Sequence, residues 1–250
     1  MRTIGWRREG ERRPAPARPA PKPWPFWARF TQLQIGLFLY GLSAAMLVRS
    51  RLGLDPWDVF HQGLSRAIGL SIGAWVILIG ALVLLLWIPL RQRPGIGTIC
   101  NVLLIGTWLD LTLRAIPLIH PMPVRVGLMV GGIVLCGIAT GLYIGAAMGP
   151  GPRDGLMVGI ANRGHSIRVV RTGIEVTVLI IGWLLGGVVG IGTILYALSI
   201  GPIAHVTIPA FARGPILHER EPEPEHGPAP RTGILPASPP APGEVACASD

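Results

Sequence analysis

Two short segments of the sequence place a carboxylate two residues after a proline. They are DPWD (55–58) and GPRD (151–154). Proline at the first helical position and an acidic residue in the first turn are typical of helix starts, because the proline lacks an N–H that would be unpaired there and the acid complements the helix dipole. The pattern predicts short helices over 56–69 and 152–164, the first capped by Asp55.

The carboxylates of these two segments have two interpretations. In one, Asp58 and Asp154 only satisfy free N–H groups of the first turn. In the other, both helix starts line a polar cavity, where each carboxylate faces a cation or a polar solute. Asp55 and Arg153 then belong to the same site, so the candidate substrate-binding residues are Asp58, Asp154, Asp55 and Arg153.

A second group of polar residues lies inside apolar stretches. Asp110 precedes Arg114 by four residues, and Arg171 precedes Glu175 by four. A charge at the centre of a bilayer costs about 3 kcal/mol, so each acid should face the protein interior and be paired. The spacing of four places each pair on one helix face, which predicts local ion pairs.

His205 gives Asp110 a second interpretation. It follows Asp110 by 95 residues, the offset at which the two halves of the chain resemble each other. A carboxylate and an imidazole at equivalent positions are a hypothetical proton relay. By contrast, His61 and His165 are expected to be solvated or interfacial.

An internal repeat at an offset of 95–96 residues organises these motifs. LGLDPWD (52–58) aligns with MGPGPRD (148–154), and GIGT (95–98) aligns with GIGT (190–193). Composition alone would not place the Pro and Asp residues in register. We interpret the pattern as a duplication.

The segments between the motifs are apolar enough to lie in a membrane. Half of the chain is hydrophobic and only 14% is charged, against about 25% in soluble domains. Runs such as AWVILIGALVLLLWIPL do not alternate, which excludes barrel strands and leaves helices. Six spans are predicted, at 30–48, 72–90, 97–117, 124–147, 169–188 and 191–211.

The fold class is therefore an all-α membrane protein with two three-span repeats, each carrying a re-entrant or interfacial half-helix. Because each repeat has an odd number of spans, the second repeat enters the membrane from the opposite side and is inverted relative to the first. The domains are a basic tail (1–29), repeat 1 (30–117), repeat 2 (118–212) and an acidic tail (213–250), with both tails expected to be disordered. The Arg distribution predicts that both termini are cytoplasmic.

Several function classes lack their sequence signals. No HExxH, phosphate-loop GxxxxGK or CxxC motif is present, so we expect neither an enzyme, nor a metal site, nor a cofactor. The net charge of +9 arises from residues beside apolar spans. This favours contact with the bilayer surface over nucleic acid.

Four segments carry a family likeness. They are GLDPWDVFHQGLS (53–65), IGLSIG (68–73), LYIGAAMGPGPRDGLM (142–157) and RTGIEVTVLIIGWLLGGVVGIGT (171–193). The chain resembles the YczE/YyaS/YitT family of bacterial membrane proteins over about residues 30–212. The resemblance implies a multi-pass protein of the bacterial cytoplasmic membrane, and carries over no catalytic or binding residues.

Two functional hypotheses follow. The first is a small-solute or ion transporter, because inverted repeats with interrupted helices are a common plan of secondary transporters. The alternative is a non-transporting membrane scaffold or regulator, for example of secondary metabolism. Expected partners are the lipid bilayer and either a small solute or a protein, and the chain is a possible homo-oligomer.

Overall fold

The computed structural model describes residues 24–212, and every regular element in this range is an α-helix. The predicted tails lie outside the described residues, except for residues 24–29. The helices are α1 (Phe26–Ser50), α2 (Pro56–Ile68), α3 (Ile72–Leu90), α4 (Ile96–Ala115), α5 (Met122–Gly145), α6 (Pro152–Ala161), α7 (Ile167–Leu184) and α8 (Ile191–Phe211). The predicted helix starts at Pro56 and Pro152 are confirmed.

Five of these helices are long and apolar enough to cross a membrane: α1, α3, α4, α5 and α8. Helix α7, of 18 residues, occupies the fifth predicted span, 169–188. It also carries Arg168, Arg171 and Glu175. The all-helical membrane architecture therefore agrees with the sequence, whereas α7 carries more charged residues than any of the five apolar helices does.

The distribution of polarity is that of a protein surrounded by lipid. Large apolar side chains such as Ile88, Leu198 and Val206 lie on the surface of the bundle. The interior instead contains polar side chains, including Asp55, Asp58, His61 and Gln62. Polar groups are costly in hydrocarbon, so their burial among helices is expected in a membrane protein.

The long helices pack closely through glycines. Helix α1 lies between α4 and α5, and α5 also packs on α8. The short helix α2 packs on α7, and α6 packs on α3. A Cβ at Gly182 in α7 would lie 2.5 Å from the Phe60 backbone, and one at Gly155 in α6 would lie 2.0 Å from the Trp87 ring. The two contacts occupy equivalent places in the repeat, because Gly155 follows Phe60 by 95 residues and Gly182 follows Trp87 by 95 residues.

The loops before the short helices are held by the other half of the chain. The N–H of Gly192 donates to the carbonyl of Leu52 at 2.8 Å, and the N–H of Gly97 donates to the carbonyl of Met148 at 2.9 Å. Gly53 has a φ of +126° where its loop passes the start of α8, a conformation that favours glycine. These contacts fix where α2 and α6 begin.

Candidate functional site

The starts of α2 and α6 meet in the interior, and Arg153 joins them. Its Nη1 lies 4.0 Å from Oδ1 of Asp55, and its Nη2 lies 3.9 Å from Oδ1 of Asp58. The guanidinium carbon lies 4.8 Å from the centroid of a Trp57 ring, within the range of a cation–π interaction. The four predicted candidates Asp55, Asp58, Arg153 and Asp154 therefore lie in one region.

Asp55 caps helix α2 as the sequence predicts. Its Oδ1 accepts a hydrogen bond of 2.8 Å from the N–H of Asp58. Burial, and then the charge of Asp58, raise the pKa of the Asp55 carboxyl to about 6, while Arg153 acts in the opposite direction. The cap is thus a carboxyl with a pKa close to neutrality.

His61 lies one helical turn after Asp58, and its Nδ1 is 3.3 Å from Oδ1 of that residue. The imidazole is only 1% exposed, so the expectation of a solvated or interfacial histidine is wrong. Burial, and then the charge of Arg153, lower the pKa of His61 well below its ordinary value. The imidazole is therefore neutral at physiological pH.

Asp154 has different surroundings from its repeat equivalent Asp58. The Tyr143 hydroxyl donates to Oδ2 of Asp154 at 3.0 Å. Asp154 forms no ion pair within 4 Å in the described part of the chain. It also lines the cavities described next, so this carboxylate is available to a ligand.

Two adjoining cavities open at this cluster. The larger, of about 260 Å³, has a wall that includes Asp55, Arg153, Asp154, Glu175 and Tyr196. The smaller, of about 80 Å³, includes His61, Asn101 and Tyr143. Both cavities share part of their walls, formed by Tyr40, Trp57, Arg153 and Asp154.

Three buried polar atoms of α2 lack hydrogen-bond partners. They are Nε1 of Trp57, Oδ2 of Asp58 and Nε2 of His61. Buried polar groups normally find partners because an unpaired one costs about 1–3 kcal/mol. Trp57 and His61 line the smaller cavity. A polar ligand in that cavity is one way to supply the missing partners.

Glu175 and Arg171 form the predicted local ion pair on the wall of the larger cavity. The Arg171 Nε donates to Oε1 of Glu175 at 3.0 Å. Both side chains belong to α7, the long helix with the most charged residues in the described part of the chain.

Asp110 and His205 do not join this site. The Ser71 hydroxyl and the Gly73 N–H, the latter at 2.9 Å, donate to the Asp110 carboxylate. The predicted ion pair between Asp110 and Arg114 is wrong, because their charged groups do not lie within 4 Å of each other. The start of α3 supplies the donors to Asp110 instead. His205 is exposed on α8 and makes no contact with Asp110 in the described residues.

The sequence reasoning missed the aromatic walls and His61. The separation of three residues between Asp58 and His61 would have placed both on one helix face. Tyr40, Tyr143 and Tyr196 carried no local signal, since they reach the cavity only through packing. Within residues 24–212, no three His, Cys, Asp or Glu side chains are arranged to hold a metal.

The chain is similar to several bacterial proteins. It is 40% identical over 192 residues to an "Uncharacterized protein" of Haemophilus influenzae, which covers 75% of this chain and 88% of the relative. It is 35% identical over 184 residues to the "Uncharacterized membrane protein YczE" of Bacillus subtilis, covering 72% and 86% respectively. The "Uncharacterized protein YyaS" of the same organism is 28% identical over 184 residues, covering 72% and 92%.

No solved structure matches the chain. Residues 27–209 match the family of unknown function DUF6198. The match spans both short helices, five of the predicted spans in full and all but the last two residues of the sixth. The chain therefore belongs to the DUF6198 family and, as its sequence motifs indicate, to the group of membrane proteins that includes YczE and YyaS.

Proposed function

We propose that the protein is a carrier for a small solute rather than an enzyme, with its binding site in the cavities around Arg153 and Asp154. The observation that supports this most strongly is the meeting of two helix starts, one from each half of the chain, at a buried polar cavity inside a membrane protein. Transporters built from repeats bind their solutes at such interrupted helices near the repeat interface.

The proposed membrane arrangement has six spans as two inverted repeats, with α7 as the fifth span. Both termini face the cytoplasm of a bacterial cell. This topology places the loop after α1 on the same side as the loop before α8, in agreement with the Gly192–Leu52 hydrogen bond. It also places the loops bonded by Gly97 and Met148 together on the opposite side.

The cavity walls favour transport over a scaffold role. A scaffold needs no polar interior, and burying charges without a purpose is costly. Here Asp55, Asp58 and Arg153 are gathered in the interior, beside space for a ligand.

Uptake into proteoliposomes tests the proposal. Purified protein would be reconstituted and exposed to a panel of small amines, amino acids and carboxylates, with uptake measured by mass spectrometry. We expect uptake of at least one class, lost in Asp154→Asn and retained in Asp110→Asn. The second variant makes the same chemical change outside the cavity. Absence of uptake for every class would favour the scaffold.

A further inference from the structure

We propose that the space formed by the two adjoining cavities binds a small protonated amine, whose N–H groups donate to the Asp154 carboxylate and to Nε2 of His61. The inference rests on the proposed function for the choice of site, and it names the solute class. It is carried by three properties of the described residues: the balance of charge, the unpaired hydrogen-bonding atoms of residues that line the cavities, and the aromatic walls.

The charges around the cavities favour a cation. Arg153 lies between the carboxylates of Asp55 and Asp58, and Arg171 pairs with Glu175. Asp154 is left with the Tyr143 hydroxyl as its hydrogen-bond donor. An anionic solute at Arg153 would be repelled by the neighbouring carboxylates, whereas a monovalent cation reduces the excess of negative charge.

Hydrogen bonding at His61 indicates a cation with N–H groups. An ionised Asp58 carboxylate can only accept, so Nδ1 of His61 carries the proton that points towards Oδ1. In the neutral imidazole Nε2 is then an acceptor. This atom is buried and unpartnered, and His61 is one of the residues that line the smaller cavity. A solute N–H satisfies it, while quaternary ammonium has no N–H to donate.

The unpaired Trp57 Nε1 adds a requirement for an acceptor. This N–H is buried without a partner, and Trp57 lines both cavities. A hydroxyl oxygen on the solute would receive it. An amino alcohol therefore fits better than a simple alkylamine.

The walls suit a small organic cation in both size and character. Tyr40, Trp57, Tyr143 and Tyr196 contribute aromatic rings around Asp154, and ring faces attract cations. The larger cavity, of about 260 Å³, is below the range of roughly 300–1,000 Å³ that drug-sized ligands occupy. A solute of a few heavy atoms is the expected occupant.

Calorimetric titration of the purified full chain in detergent tests the inference. The probes are ethanolamine, ethylammonium, tetramethylammonium, sodium and acetate, added as salts of fixed ionic strength. We expect binding in the order ethanolamine, ethylammonium and then tetramethylammonium, with no binding of sodium or acetate. Equal binding of tetramethylammonium would overturn the role of His61, and binding of acetate alone would overturn the cation site.

Variants locate the site. Asp154→Asn and His61→Asn should each weaken ethanolamine binding by about tenfold or more, the equivalent of one charged hydrogen bond. Asp110→Asn makes the same amide change outside the cavities and should bind ethanolamine like the unmodified protein. Unchanged binding in Asp154→Asn would refute the assignment, and the ligand series on the unmodified protein decides the issue if this variant does not fold.

The binding and transport experiments can refute the amine site and the carrier function independently of each other. Ethanolamine binding without uptake into proteoliposomes would refute the carrier function and leave the amine site intact. Uptake of a different solute class, together with no amine binding, would refute the amine site and leave the carrier function.

Discussion

A guanidinium nitrogen of Arg153 lies 3.9 Å from Oδ1 of Asp58, and this pair connects the two halves of the chain in the interior of the bundle. Each residue belongs to the first turn of a short helix. In the aligned repeats, Asp58 corresponds to Asp154, the residue after Arg153. The cavity is therefore asymmetric at its centre although the backbone contacts around it recur in both halves.

Arg153 should stabilise the fold through this pair as well as line the cavity. Arg153→Met leaves two buried carboxylates uncompensated and should cost about 3 kcal/mol. Asp58→Asn relieves part of this cost, so the double variant should be more stable than the sum of the single changes predicts, with a coupling of roughly 0.5–3 kcal/mol. Unfolding in detergent measures the cycle, and strict additivity would show that the pair is not formed.

Gly182 should be essential for the packing of α7 on α2. A Cβ there would lie 2.5 Å from backbone atoms of Phe60, whereas a Cβ at Gly173 on the same helix meets nothing within 4 Å. Gly182→Ala should therefore lose roughly 1–3 kcal/mol through overpacking. Gly173→Ala is the matched control and should be neutral or slightly stabilising. Equal melting temperatures for the two variants would contradict the close approach of the helices.

Asp55 should make stability depend on pH. Its pKa of about 6 exceeds the ordinary value of 3.8 because the carboxyl is buried, so the folded state retains a proton that the unfolded state has lost. The contribution of the Asp55 carboxyl to the free energy of unfolding is complete below about pH 4. It declines by roughly 3 kcal/mol as the pH rises to about 6.

Asp55→Asn isolates that contribution. Asparagine still caps the helix. The free energy of unfolding of the variant should therefore lack the decline that Asp55 causes between about pH 4 and pH 6. The depressed pKa of His61 acts in the opposite direction, but it is present in both proteins. The difference in melting temperature between them, followed across this range, is the measurement. A constant difference would mean that Asp55 titrates normally.

Asp110 should act as a structural anchor for α3. Asp110→Leu leaves the Ser71 hydroxyl and the Gly73 N–H without their acceptor and should cost about 1–3 kcal/mol. Arg114→Leu should be nearly neutral because this exposed side chain has no ion pair in the described residues. Similar losses of stability in both variants would instead support the local Asp110–Arg114 ion pair that the sequence predicts.

Helix α7 decides whether the membrane topology has six spans. Single cysteines replacing His165 and Val189, in a background without Cys100, Cys136 and Cys247, would flank this helix. In intact cells a membrane-impermeant maleimide should label Val189→Cys and should reach His165→Cys only after permeabilisation. A cysteine at His120 is the external control. Labelling of both positions from the same side would rule out the inverted repeat.

Much of the architecture could be predicted because it depends on local chemistry. Apolar runs without alternation can satisfy their backbone in lipid only as helices, and the eight observed helices follow. Proline at the first helical position placed the starts of α2 and α6, and the Asp55 cap needs only a residue three positions along the chain.

Which side chains meet in the interior was decided by tertiary packing alone. Asp110 bonds to Ser71, 39 residues away, rather than to Arg114, four residues away, because the start of α3 presents free donors beside it. His61 is buried because α2 packs into the bundle, where this side chain lines the smaller cavity together with residues of α3 and α4. The sequence by itself determined a helical membrane protein and the positions of its helix starts. The close contacts between the two halves determined that Arg153 reaches Asp55 and Asp58, while Asp154 lines the cavities without an ion pair in the described residues.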